Sequence, residues 1–311
     1  MAAAILLLLA AVPCLYWTQG IETRPAIEAA GIKRLCAPAD QADAWRKAGL
    51  TVTTISESDF GSREALSAPG VSPRPGVASP TRAPWIIASG WRFMRAPSAK
   101  YAYSAPAGKG ALAAAEAFAY GADALIKVDS SDLPSVGAMM AFFDTLPTED
   151  LQAVADFGVV DDGSAITGEV MNLLARRNLL FHVEKEPAAQ YRLNVVIGSA
   201  AYPREAAADP SSFAQKVRAQ LTDEQRSLRI YGSEVVIARL TSDGKRARVH
   251  LINYGGRDIE GLRVRVRGSY SSGDAYIPGT AKAALLDQIV ADGAIEFSLP
   301  KIGTYAVVDL R

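Results

Sequence analysis

Residues 231–254, YGSEVVIARLTSDGKRARVHLINY, decide how the C-terminal part of the chain is read. Glu234–Leu240 has the apolar, β-branched character of a strand. Ser242-Asp243-Gly244 is a turn, because Asp and Gly tolerate the positive φ that a tight hairpin needs. Lys245–Tyr254 returns as a second strand. In it Ala247, Val249 and Leu251 alternate with Arg246, Arg248 and His250, which predicts one dry face and one wet face. The same alternation recurs downstream, where Leu262, Val264 and Val266 are interleaved with Arg263, Arg265 and Arg267. Ala294–Leu299 and Gly303–Leu310 complete the pattern. Residues 228–311 are therefore expected to form an antiparallel β-sandwich.

Upstream of Leu228 the rhythm changes. Strand-like Ile32–Cys36 precedes a helix over Pro38–Ala48 that Gly49 stops, and Leu50–Ile55 is the next strand. The alternation resumes at Trp85–Ser89 and continues through the helix ending at Tyr120, the strand Ala122–Val128 and the helix Leu133–Leu146. Then come the strand Phe157–Val160, the helix Ala165–Arg176, the strands Leu179–Val183 and Leu193–Ile197, and the helix Ser211–Leu221. Strands alternating with helices predict parallel pairing, so residues 21–227 are expected to be an α/β domain, either a degenerate barrel or a flavodoxin-like layered sheet. Residues 57–84 interrupt it with five prolines among Gly and Ser and are expected to be a surface loop.

The chain has 311 residues, enough for roughly two domains. Its 33 Lys and Arg balance 33 Asp and Glu, which argues against a nucleic-acid binder, and its 49% hydrophobic content excludes a disordered chain. Residues 1–20 open with an apolar run, Ala2–Val12, too short for the roughly 20 residues of a spanning helix. It reads as a secretory signal peptide with cleavage between Ala11 and Gly20, in competition with an uncleaved anchor, and it places the protein outside the cell or in the periplasm. The membrane enters only through this segment. The cysteines are Cys14 and Cys36. Removal of a leader past Cys14 leaves Cys36 alone, as a buried small hydrophobe without a disulfide.

In parallel α/β sheets, ligands bind beyond the carboxyl ends of the strands. The residues that follow the strands here are Trp91 and Arg92, Asp129, and Asp161 with Asp162. Paired carboxylates suit glycoside hydrolysis, and aromatic rings suit sugar faces. The candidate catalytic residues are thus Asp129, Asp161 and Asp162, with Trp91 and Arg92 for substrate. The same aspartates are natural helix caps, Asp129 before Leu133 and Asp161 or Asp162 before Ala165, and the local sequence favours capping. Trp91 reads more readily as a packing residue than as a platform, and Glu116 as a solvated residue rather than an acid. Pro106–Gly110 has part of a phosphate-loop pattern but lacks the hydroxyl residue after Lys109. His182 and His250 lack zinc-ligand spacing, and the sequence calls for no cofactor and no metal.

RVHLINYGG after SEVVIARL resembles the C-terminal β-sandwich of bacterial glycoside hydrolases of the β-galactosidase-like and fucosidase-like kind. AAEAFAYGADALIKV is similar to the last helix and strand of their barrel, and Phe157–Ser199 to the start of their amidotransferase-like middle domain. The resemblance implies a carbohydrate partner. A full barrel takes about 250 residues, more than the chain has before Leu228 once the middle unit is counted. The expected function is a carbohydrate-associated protein of glycoside-hydrolase-like architecture, catalytically inactive in the leading reading. The alternatives are an active glycosidase pairing Asp129 with Asp161 or Asp162, and a non-enzymatic envelope assembly protein.

Overall fold

The structure, a computed structural model, describes residues 12–72 and 84–311. The chain divides into two compact units, residues 1–68 with 98–150, and residues 69–97 with 151–311. The apolar run up to Ala11 and the proline-rich residues 73–83 lie outside the described residues.

The first unit is built on parallel strands. They are β1 (Cys14–Leu15), β2 (Arg34–Ala37), β3 (Thr51–Thr54) and β4 (Glu64–Leu66). Two strands, β5 (Gly70–Ser72) and β6 (Trp85–Ile87), pair antiparallel in the second unit before β7 (Lys100–Ala105) and β8 (Asp123–Val128) return to the first. Parallel ladders join β3 to β2, β1 to β8, β8 to β7 and β7 to β4, and a parallel bridge between Tyr16 and Cys36 joins β1 to β2. The order β3-β2-β1-β8-β7-β4 sets the first strand beside the last, as in a barrel. Among the described residues no pairing links β3 to β4, and a closed barrel is not shown.

The helices of this unit are α1 (Arg24–Ala29), α2 (Ala39–Lys47) and α3 (Glu57–Gly61), and then, after the second unit's α4 (Gly90–Arg95), α5 (Gly110–Tyr120) and α6 (Leu133–Thr145). Gly121 closes α5 at φ 63°, a left-handed position that suits glycine. α3, β4 and β5 occupy the first half of the segment expected to be a bare loop. Ser56 and Asp59 form a reciprocal cap at the start of α3, which is why helix begins there despite the nearby prolines.

Two expectations are corrected in this unit. Cys14 and Cys36 are joined by a disulfide. β1 is a folded strand, with Leu15, Tyr16 and Trp17 buried. Glu116 is fully buried and accepts a hydrogen bond from the Tyr103 hydroxyl at 2.6 Å. One polar side chain in an alanine-rich helix is invisible to periodicity when its partner lies on another element.

The second unit continues with β9 (Gln152–Ala153), β10 (Phe157–Val160), β11 (Phe181–Glu184) and β12 (Asn194–Val196). β10 pairs in parallel with β11 on one side and β12 on the other. α7 (Ala165–Arg176) and α8 (Pro210–Leu221) pack with α4 and these strands around Trp91, Phe157, Met171, Leu174, Phe181 and Phe213. The rest is antiparallel: β13 (Leu228–Tyr231), β14 (Val236–Ser242), β15 (Ala247–Asn253), β16 (Ile259–Arg267), β17 (Gly273–Tyr276), β18 (Ala283–Ala284), β19 (Leu286–Ala291), β20 (Ala294–Ile302) and β21 (Tyr305–Leu310). They form one sheet in the order β13-β16-β20-β19 and another in the order β18-β17-β21-β15-β14-β9. Both sheets supply side chains to a single core that includes Val249, Leu251, Val264, Phe297 and Val308.

The hairpin of residues 231–254 forms as expected, with β14 and β15 in register from Val236–Asn253 to Ser242–Ala247. Its second strand is not half wet. β15 lies between β14 and β21, and Arg248 and His250 are buried with the rest of it. Arg248 pairs with Asp309 at 2.6 Å, and His250 Nδ1 meets the Tyr305 hydroxyl at 2.5 Å. Burial drives the His250 pKa well below its ordinary value and raises that of Tyr305.

Candidate functional site

The carboxyl end of β10 leads into Asp161-Asp162-Gly163-Ser164 and the first turn of α7. Backbone N–H groups crowd a helix start, and side-chain oxygens are drawn to them. Asp161 Oδ1 accepts from Gly163 N at 2.9 Å, and Asp162 Oδ1 accepts from Ser164 N at 3.0 Å and from the Thr167 hydroxyl at 2.7 Å. The Ser164 hydroxyl caps the helix through Thr167 N. Each carboxylate also holds an arginine. Arg95, on α4, donates to both oxygens of Asp161, and Arg204 donates to Asp162 Oδ2 at 2.7 Å. These bonds hold both carboxyls below the usual carboxylate range.

Asp129 belongs to the first unit, and Asp161 and Asp162 to the second. Its Oδ1 accepts from the backbone and the hydroxyl of Ser131, which likewise lowers its pKa. Asp132, which the sequence did not single out, is buried and accepts from the backbone N–H groups of Gly108, Lys109 and Gly110 at 2.6, 3.1 and 2.8 Å. The loop with part of a phosphate-loop pattern does cradle an anion, and the anion is the protein's own carboxylate.

Trp91 is buried in the second unit's core. Its ring lies so close to Gly168 of α7 that a Cβ there would come within 2.9 Å of it. The guanidinium of Arg92 stacks on the same ring, 4.4 Å from its centroid. Among the described residues no group of three His, Cys, Asp or Glu could hold a metal ion, and no helix is long and apolar enough to cross a membrane.

A cleft of about 530 Å³ opens elsewhere in the second unit, lined among others by Asp156, Tyr191, Arg192, Gln220, Gln225 and Arg267. It lies at the amino-terminal end of the parallel strands, since Asp156 immediately precedes β10 and Leu193 immediately precedes β12. Asp156 accepts from the backbone N–H of Ser227 at 3.0 Å and from its hydroxyl at 2.6 Å. Burial outweighs those bonds and raises the Asp156 pKa. Tyr191 contacts His182, whose Nε2 lies 3.1 Å from the Ala153 carbonyl. A carbonyl only accepts, so Nε2 carries the proton and Nδ1 accepts from the Tyr191 hydroxyl. None of these residues stands out in the sequence. The one available signal is a charged residue directly before the FGVV strand.

No family model matches the chain, and no curated protein sequence matches it. Solved structures do. An α-L-fucosidase, isoenzyme 2 from Paenibacillus thiaminolyticus, superposes with a TM-score of 0.55 at 9% identity, covering 85% of this chain and 68% of that one. A GH42 β-galactosidase from G. stearothermophilus gives 0.40 at 7% identity, over 88% of this chain and 66% of that one. A β-galactosidase from Rahnella sp. R3 gives 0.37 at 9% identity, over 89% and 63%. Only the first score is high enough to speak of a shared fold. The chain thus has a mixed α/β fold like that of a glycoside hydrolase.

Proposed function

We propose that this is a carbohydrate-associated protein of glycoside-hydrolase architecture whose rim carboxylates do not hydrolyse glycosides. The observation that carries the proposal is the fate of Asp161 and Asp162. Glycoside hydrolysis takes one carboxyl that holds a proton near neutral pH beside one that is ionised. Here both are held ionised by arginines and by N–H groups at a helix start, and Asp129 is spent on a turn. The fold shared with the fucosidase supports carbohydrate as the partner class. We read residues 228–311 as a β-sandwich module and residues 21–227 as the α/β part. The Cys14–Cys36 disulfide supports an oxidising compartment, secreted or periplasmic.

The test is a panel of aryl glycosides, fucosides and galactosides included, run beside a glycan array on the full chain. The expected result is glycan binding without turnover. Turnover that D161N or D162N abolishes would restore the active-glycosidase reading, and an empty array would remove the carbohydrate reading. A second reading, assembly with other envelope proteins, draws on edge strand β19, where Leu286, Ile289 and Val290 are exposed. A concentration-dependent oligomer together with an empty array would favour it.

A further inference from the structure

Arg192 and Arg267 come from different segments and converge on one residue. Arg192 Nη1 donates to Gln225 Oε1 at 2.9 Å, and Arg267 Nη1 donates to the Gln225 backbone carbonyl at 3.1 Å. Both side chains line the 530 Å³ cleft. Neither makes an ion pair among the described residues, whereas Arg95, Arg204, Arg218, Arg248 and Arg263 all do. A surface arginine gains little from a neutral amide oxygen, and the tether leaves most of each guanidinium fork open. Two guanidinium groups gathered on Gln225, with the Asp156 carboxyl acting on Arg267 only from beyond ion-pair distance, present a site for a carboxylate or another anion.

The rest of the lining narrows the class. Asp156 supplies a carboxyl acceptor, which opposes a compact dianion such as phosphate. The Gln220 carbonyl accepts from the Tyr202 hydroxyl, which leaves its NH₂ to donate. The Tyr191 hydroxyl gives its proton to neutral His182 and bonds the Gln190 side chain, which leaves one lone pair of its oxygen to accept. Donors and acceptors thus both line the cleft, as hydroxyl groups that both give and take hydrogen bonds require. We infer that the cleft binds an acidic sugar of the uronic-acid class, its carboxylate on Arg192 and Arg267 and its hydroxyls on Tyr191, Gln220 and Asp156. This inference rests on the carbohydrate reading above and assigns it a place apart from the rim.

The experiment is an NMR titration of the full chain with glucuronate, glucose and acetate, repeated on R192Q and R267Q. Both arginines are exposed, so thermal melting is expected to show the variants folded. Glucuronate is expected to bind at least tenfold more tightly than glucose or acetate, and each variant to weaken it about tenfold. Glucuronate binding no tighter than acetate, or unmoved in both variants, would overturn the site. Neutral glycans bound elsewhere with no uronate preference would overturn the site alone, and no binding of any glycan would overturn the carbohydrate reading with it.

Discussion

Arg95 grips Asp161 through two parallel hydrogen bonds, Nε to Oδ2 at 2.8 Å and Nη2 to Oδ1 at 2.7 Å. The same Nη2 reaches the Ser164 carbonyl at 3.0 Å, so one guanidinium ties α4 to the entry of α7. Both side chains are about one-fifth exposed. R95A is expected to destabilise the protein by about 1–2 kcal/mol, a partly buried bidentate pair discounted for solvent screening. Chemical denaturation measures it. A loss no larger than that of an exposed control such as Arg24→Ala would deny the pair this role.

The acid side of the stability curve follows from the rim. Asp161 and Asp162 titrate lower in the folded chain than in the unfolded one. Their contribution is therefore complete above the ordinary carboxylate pKa, about 3.9, and is lost as pH falls through the folded values below it. Melting temperature attributable to them is expected to hold flat from pH 7 to about 5 and to fall below about 4. D161N and D162N should make that acid limb shallower, which a pH series of melts will show.

Asp156 behaves in the opposite sense, because its folded pKa is raised. The folded chain binds that proton more readily, so ionisation costs stability as pH climbs through the folded value. D156N keeps an oxygen for Ser227 and removes the buried charge. Its melting temperature at pH 7 is expected to equal or exceed that of the unsubstituted chain, with the gain shrinking toward pH 4. D156A leaves the Ser227 N–H without its acceptor and should cost about 1–3 kcal/mol. A D156N variant as damaged as D156A would refute this account.

The disulfide closes a short loop, with Cys14 and Cys36 separated by 22 positions. Such a loop is worth about 3 kcal/mol in the chain-entropy account. C14S, C36S and the reduced protein should all melt lower by a similar amount. A reductant that leaves the melt unchanged would argue against the bond.

Asn178 sits at a φ of 54° just past α7 and is buried. Its side chain donates to the Val236 carbonyl at 2.9 Å and accepts from Ala238 N at 2.7 Å, the two places a strand bond would otherwise fill on β14. N178A is expected to cost about 2–4 kcal/mol, since it strands two buried backbone groups and removes a residue tolerant of left-handed backbone. N178D should be nearly as harmful, because it cannot donate to Val236. Urea denaturation separates both from an exposed control.

The hairpin, the parallel strands and most of the helices were legible because periodicity and punctuation act within ten or so residues. Ala165–Arg176 matches the expected helix to the residue, although the cap is Ser164 and not the expected Asp161 or Asp162. What escaped depends on partners distant in sequence. β15 reads as half wet until β14 and β21 flank it and its polar side chains find Tyr305 and Asp309. Cys14 and Cys36 read as unpaired until the fold sets them side by side. The carboxylates Asp129, Asp161 and Asp162 are recognisable as residues that follow strands, but their charge state is set by partners: Ser131 for Asp129, Arg95 for Asp161, and Ser164, Thr167 and Arg204 for Asp162. The two arginines on Gln225 leave no local trace at all, because residues 192, 225 and 267 meet only in the fold.

The excursion of residues 69–97 into the second unit carries a consequence for the chain's birth. α4 is synthesised well before the strands and helices it packs with, which begin after residue 151. At roughly 5–20 residues per second, Trp91 waits several seconds for Phe157 and Phe181 to emerge from the ribosome. Through that interval the nascent chain carries an unsheltered aromatic hook, while the segment that follows it can already complete the first unit. Holdase chaperones should therefore engage this stretch during translation, and release should follow emergence of β12.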